Sequence, residues 1–501
     1  MPLKNKTVRV ICRIVFALLC STGILPSQLV ASSYGCFAPP VNYTGFYTPY
    51  DVAAGDFNKD GKLDLVVADG SGGTLYVLLG NGDGTFQPPT ALSSGGNPWA
   101  VVVGDFNGDG KLDIAAANFN TSGTVGILLG NGDGTFQTAK TFPAGINPAS
   151  IAVGDFNGDG KLDVVISNEY NSSQTLSILL GNGDGTLGAA TTYTLPNGYT
   201  LSVTVADLNG DGKLDIADSN SDVLLGNGNG IFGMAVNYGS GNGVGPKSVV
   251  TRDFNHDGKL DIAIASYGNN SLSILLGNGN GTFQPPVYYP TGSGGAYGAQ
   301  SLAAADFNKD GNLDIAVGVV GGKSVSVFLG NVDGTFQQAA NFPVGNNPWS
   351  VASADVNGDG YPDLVTANYS GSNVGNYVSV LLNTPCNASY FSLSAPGATA
   401  AGSPISITVT AFNPYHQTAT NYTGMVHFTS SDPQAVFPPD STLTNGVGTF
   451  TVTLKSSGNQ TVTATDTVTA STTGSTTVSV SPGSTVGFAV TVPVRRTPGV
   501  A

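Results

Sequence analysis

Asp105-Phe106-Asn107-Gly108-Asp109-Gly110-Lys111-Leu112-Asp113 places three carboxylates at positions 1, 5 and 9, an amide oxygen at position 3 and a glycine at position 6. The same pattern, D-[FLV]-N-x-D-G-x-x-D, begins at Asp56, Asp105, Asp155, Asp207, Asp253, Asp306 and Asp355, so one unit of roughly fifty residues recurs seven times. Within each copy an apolar stretch such as Val101-Val102-Val103 enters the acidic loop and a second, Ile114 to Ala117, leaves it. A third run, Val125 to Leu129, ends in G-N-G-D-G-T-F, and a segment rich in Pro, Thr and Tyr leads to the next copy. These runs are short, β-prone and bounded by Gly and Asn, so each copy reads as four strands.

Four antiparallel strands cannot bury both faces alone, so the units must stack in a line or a ring. The ends of the series decide for the ring. In the seventh copy the third strand, Tyr377 to Leu382, runs into Asn383-Thr384-Pro385-Cys386 with no fourth strand after it. Cys36-Phe37-Ala38-Pro39-Pro40-Val41-Asn42-Tyr43 matches Thr282 to Tyr289, the start of a fourth strand elsewhere. The N-terminal segment is therefore expected to complete the last unit and close a seven-bladed β-propeller. Cys36 and Cys386 then fall where a hairpin would have joined those strands, which predicts a disulfide.

Composition agrees. Charged residues make up 10% of the 501, with 70 glycines, which argues against surface helices. A net charge of −15 argues against nucleic-acid binding. Of 33 acidic residues only Glu169 is not Asp. Residues 1–32, with Lys4, Lys6, Arg9 and Arg13 ahead of an apolar run from Ile14 to Leu25, have the layout of a signal peptide, which predicts a secreted or cell-surface protein with no membrane span in the mature chain.

The loops offer only hard oxygen donors, from side chains at positions 1, 3, 5 and 9 and the carbonyl of position 7, which suits Ca²⁺. The candidate ligands are Asp56, Asn58, Asp60, Lys62 and Asp64; Asp105, Asn107, Asp109, Lys111 and Asp113; Asp155, Asn157, Asp159, Lys161 and Asp163; Asp207, Asn209, Asp211, Lys213 and Asp215; Asp253, Asn255, Asp257, Lys259 and Asp261; Asp306, Asn308, Asp310, Asn312 and Asp314; and Asp355, Asn357, Asp359, Tyr361 and Asp363, for up to seven ions. Ordinary turn chemistry is the competing reading, since Asp, Asn and Gly dominate turns. A plain turn, however, gives no reason for Asp at position 9. The G-N-G-D-G-T-F segments read as tight glycine turns, with no Lys placed as in a phosphate-binding loop.

These loops, with the strands Leu65-Val66-Val67 and Leu78-Leu79-Gly80 that follow them, resemble the FG-GAP/VCBS repeat family, which includes the propeller of integrin alpha subunits. The resemblance covers roughly residues 34–386 and implies the propeller fold and calcium, while leaving the ligand open. Residues 387–480, rich in Thr, Ser and Val with alternating strands, resemble bacterial Ig-like domains and are expected to form a β-sandwich. Residues 481–501 read as a tail or truncated module.

Following the strands, the acidic loops and glycine turns share one face of the ring, and the more variable 2–3 and 4–1 connections share the other. There Phe119, Tyr170, Tyr267 and Tyr369 are the candidate ligand contacts, with Trp99, Tyr199, Tyr297 and Trp349 on the 4–1 loops, and packing between repeats is the competing role for the two Trp. The expected function is a binding or adhesion module for a carbohydrate or protein. A structural scaffold and a part of a polysaccharide-degrading enzyme are the alternatives. No catalytic group stands out, because His256, His416 and His427 lack a partner constellation in sequence.

Overall fold

The structure is a computed structural model that describes residues 36–70, 72–169, 174–196, 200–239, 245–292, 298–371, 375–384, 387–420 and 422–483. Among these residues there is no helix. Residues 1–32, Cys386 and the chain beyond 483 lie outside them. No helix of the described residues is long and apolar enough to cross a membrane.

Seven four-stranded sheets follow one another along the chain. In six of them the strands pair in simple meander order; the sheet over Pro49–Gly55, Asp64–Asp69, Thr74–Leu78 and Thr90–Ser93 is typical. The seventh combines Pro348–Ala354, Asp363–Asn368 and Tyr377–Leu381 with Val41–Thr44 from the other end of the chain. Its register sets Val41 opposite Val380 and Tyr43 opposite Val378. Cys36–Phe37 pairs further on with Asn383–Thr384. The strand exchange read from the sequence is thus present.

The reason for the ring lies in the second strand of each sheet. Leu65, Val66, Val67 and Ala68 are all fully buried, because odd residues pack on one neighbouring sheet and even residues on the other. Val66 and Ala68 join Val101, Ile114 and Leu128 of the second repeat, whereas Leu65 and Val67 join Val365, Val378 and Val380 of the seventh. Every apolar cluster of the ring is shared in this way by two successive repeats, and the cluster joining the seventh to the first leaves no exposed end. Each buried Leu or Val contributes about 1.5–3 kcal/mol, so closure is favoured chiefly by this packing. The arrangement is consistent with a β-propeller.

The fourth repeat departs from the others. Its second strand, Asp215–Asp218, has four residues where the others have six, and only Ser219-Asn220-Ser221 joins it to Asp222–Leu224. Beyond the ring, Tyr390–Ser394, Pro404–Phe412 and Val447–Thr453 form one sheet. Ala398–Ala400, Thr473–Ser481, Gly458–Asp466, Met425–Ser430 and Ser441–Thr442 form another. The two enclose one apolar core that includes Ile407, Val452, Val462 and Val478.

Candidate functional site

The acidic loops have one geometry throughout. Asp56 takes the amide of Gly61 on Oδ2 at 2.9 Å, and Asn58 Oδ1 takes that of Asp60 at 3.0 Å. The same position 6 to position 1 bond occurs in all seven loops. Gly61 makes the sharp turn with φ near 81°. Position 4 also needs positive φ, and where other repeats have glycine there, Lys59, His256 and Lys309 adopt φ of 58°, 58° and 61°.

Position 9 has a role that sequence reasoning missed. Asp64 is buried and receives the amide of Phe57 on Oδ2 at 2.9 Å and that of Gly80 on Oδ1 at 2.7 Å, so it rivets the acidic loop to the following glycine turn. All seven position-9 carboxylates make this pair of bonds, the last using the amide of Asn383. The premise that a plain turn has no use for Asp at position 9 is therefore corrected: the fold uses it directly. Burial pushes these carboxyls up, Asp261 to about 6 and Asp314 and Asp363 to about 7, and the carboxylates at positions 5 and 1 push the same way.

Among the described residues no three His, Cys, Asp or Glu side chains are gathered as a ready metal cage. In five loops the position-7 lysine instead pairs with the position-5 aspartate, at 3.1 Å for Lys111 and Asp109. The Oδ2 of each position-1 carboxylate accepts one amide and keeps a second lone pair, whereas the Oδ1 of Asp105, Asp155 and Asp207 already accepts two amides or more. Positions 1, 3 and 5 lie on the exposed turn with like charges crowded together, so the donor chemistry suits a cation while the loop is already shaped by its own amides.

Four of the turns also clamp the neighbouring repeat, the amides of Gly134, Gly185, Gly230 and Gly281 donating to the carbonyls of Phe57, Phe106, Phe156 and Leu208. The seventh repeat has no such turn, and the Asn383 side chain donates to the Phe307 carbonyl at 2.8 Å in its place.

On the opposite face the first strands surround a cavity of roughly 310 Å³. A girdle of inter-sheet bonds joins five of the seven neighbouring pairs of sheets around it. Asp51 accepts from the Val101 amide at 3.0 Å and the Ser350 hydroxyl at 2.7 Å, and Ser150, Ser202 and Ser248 accept the amides of Val203, Val249 and Leu302. Burial raises the Asp51 carboxyl against these bonds. One wall is aromatic: Tyr50 lies 5.0 Å from Trp99 and 5.3 Å from Trp349, Phe119 stacks on Trp99 at 3.7 Å, and Tyr369 packs on Tyr50 and Trp349. Glu169 and Lys247 line the cavity from the third and fifth repeats. Burial raises Glu169 and lowers Lys247, each opposed by the charge of the other. The Lys247 ammonium sits 5.4 Å from the centre of the Tyr267 ring.

The cavity opens on the face where the sequence placed the variable loops. Phe119 and Tyr369 join the aromatic wall and Tyr267 supports Lys247, while Tyr170, Tyr199 and Tyr297 lie outside the described residues. Trp99 and Trp349 pack on their neighbours and line the cavity, filling both roles. Tyr50, Asp51, Glu169 and Lys247 carried no motif; the one available signal was that Glu169 is the sole glutamate.

No curated protein sequence matches the chain. Solved structures similar to it include an Agrocybe aegerita lectin that recognises non-reducing terminal N-acetylglucosamine (24% identity, 61% of this chain and 82% of that one, TM-score 0.44). A Pseudomonas aeruginosa periplasmic gluconolactonase (14%, 73% and 93%, TM-score 0.44) and a Lactobacillus plantarum protein (16%, 79% and 98%, TM-score 0.42) are also similar. The FG-GAP-like repeat model matches residues 56–116, 105–166, 156–217, 253–317 and 316–366. With more than half of its length covered by these matches, the chain belongs to the FG-GAP-like repeat family.

Proposed function

We propose that this protein is a secreted or cell-surface binding module for carbohydrate, a seven-bladed β-propeller of residues 34–386 followed by an Ig-like sandwich of residues 387–480. The observation that carries the reading is the axial cavity. Its size is at the small end for ligand sites, and it sets flat aromatic faces against a floor of hydroxyls and the side chains of Asp51, Glu169 and Lys247, the combination that holds a sugar ring by its apolar face and its polar edge.

Calcium is proposed as the structural ion of the acidic loops, held by the side chains at positions 1, 3 and 5 and the carbonyl of position 7, with the position-9 carboxylate facing it from the core. Its chemistry there is charge neutralisation, and the crowded carboxylates support it. A Cys36–Cys386 disulfide is proposed for ring closure, supported by the pairing of Cys36 with Thr384, two residues before Cys386.

The test is a glycan array probed with the full mature chain and with Trp99→Ala and Trp349→Ala. Binding by the wild type that falls at least tenfold in both variants is expected. Binding that survives both substitutions would move the site elsewhere, and no glycan signal at all would leave the carbohydrate reading without support.

A further inference from the structure

The charges around the cavity are not distributed evenly, and they choose among saccharides. Trp349, Tyr50 and Trp99 come from the seventh, first and second repeats and form one continuous arc. Glu169 follows on the third repeat, beside the Trp99 end of that arc. Its backbone is fixed by an amide bond to the Asn147 carbonyl at 2.9 Å. Among the described residues no hydrogen-bond donor is bonded to its carboxylate, and the charge that acts on it is that of Lys247, which lines the same cavity. A half-buried carboxylate without a donor loses hydration and recovers only part of it from the attraction of Lys247, and a charged N–H bonded directly by a ligand would restore more.

Lys247 is placed differently. Its ammonium rests against the Tyr267 ring on the fifth repeat, and burial disfavours its charged form. It is therefore a weak anchor for an anion. The aromatic faces favour a cation as well, because the ring quadrupole attracts positive charge and Trp does so best. At long range a protein of net charge −15 draws cations and repels anions.

We propose that the cavity recognises an amino sugar through its ammonium group, with Glu169 accepting the charged N–H bonds while the sugar ring lies on the Trp99 and Tyr50 faces. This rests on the carbohydrate reading above and narrows it to a cationic saccharide. Of the three acidic and basic side chains that line the cavity, Glu169 sets specificity, because Asp51 is taken up by the Val52 and Val101 amides and the Ser350 hydroxyl and Lys247 carries the wrong sign for an ammonium.

The experiment is an emission titration of the full mature chain, which has only two tryptophans, both at the cavity. The probes are glucosamine tetrasaccharide, its fully N-acetylated counterpart and a tetrasaccharide of uronic acid, at a pH where the free amine is charged. The glucosamine oligomer is expected to bind at least tenfold more tightly than the other two. Glu169→Gln should remove that preference to within about twofold, through loss of affinity for the glucosamine oligomer. A urea midpoint equal to wild type confirms that the variant is folded, and Lys247→Met should keep the preference.

Tighter binding of the acetylated or the uronic oligomer would overturn the ammonium assignment while leaving the cavity as a sugar site. A preference that persists in Glu169→Gln would overturn the role of Glu169. Emission unmoved by all three oligomers would overturn both this inference and the carbohydrate reading.

Discussion

Replacing Asn383 by alanine removes the side chain that completes the ring where the last glycine turn is missing. Asn383 is fully buried. Its amide nitrogen donates to the carbonyls of Phe307 at 2.8 Å and Pro362 at 3.1 Å, and its oxygen accepts the amide of Cys36 at 3.2 Å. One residue therefore ties together the sixth repeat, the seventh acidic loop and the N-terminal closing strand. A net hydrogen bond is worth about 0.5–1.5 kcal/mol, and a buried group left unpaired costs about 1–3 kcal/mol. Three such partners at a fully buried side chain give an expected loss of about 3–5 kcal/mol. The assay is urea unfolding followed by tryptophan emission, with Asn81→Ala as the control. Asn81 is an exposed turn residue whose amide donates only to Thr85 Oγ1, so its loss should fall within about 0.5 kcal/mol. An Asn383→Ala midpoint equal to that of Asn81→Ala would refute the closure role assigned to this side chain.

Asp60→Asn should lower the number of bound calcium ions by one, yet shift stability by no more than about 0.5 kcal/mol in chelator, because Asp60 is exposed and its Oδ1 accepts only the Lys62 amide. Asp64→Ala should instead cost about 3 kcal/mol even in chelator, as it frees two buried amides, and equal behaviour of the two variants would sink the division of roles. Asp218 has its carboxyl raised by burial and by Asp222 to about 7 from 3.8, so the unfolded chain releases that proton first as pH rises. Its contribution to stability therefore falls between about pH 4 and pH 7 and stays low above, and Asp218→Asn should flatten the profile and gain a few kcal/mol at pH 8. A variant profile parallel to wild type would rule this out. Lys309→Gly should stabilise by about 0.5–1 kcal/mol by relieving positive φ, measured by thermal melting.

The ring was legible because its constraints are local and repeated. Runs such as Leu65 to Ala68 are apolar on both faces, which only a strand packed between two sheets requires. The match of Cys36–Tyr43 to Thr282–Tyr289 gave the exchanged strand, confirmed by its register. The two C-terminal sheets were visible through alternation, although the short strands Ala398–Ala400 and Ser441–Thr442 were not, since two or three residues carry no period.

The cavity was only half legible. Aromatic residues at loop tips stand out in any copy, but Glu169 and Lys247 line one cavity because the third and fifth repeats converge on one axis, and no linear spacing encodes that. Asp51 and the serines of the girdle looked like ordinary strand residues for the same reason. Position 9 shows the converse: the repeated Asp suggested a metal ligand, and its amide bonds to residues 7 and 16 positions away appear only in three dimensions.

The measurement that tests the central claim most directly is calcium stoichiometry by native mass spectrometry on the mature chain, paired with thermal melting in calcium and in chelator. Close to seven ions and a large fall in melting temperature on chelation are predicted. No bound ion and an unchanged melting temperature would contradict it, and would leave the seven acidic loops as turns held by their own amides and lysines.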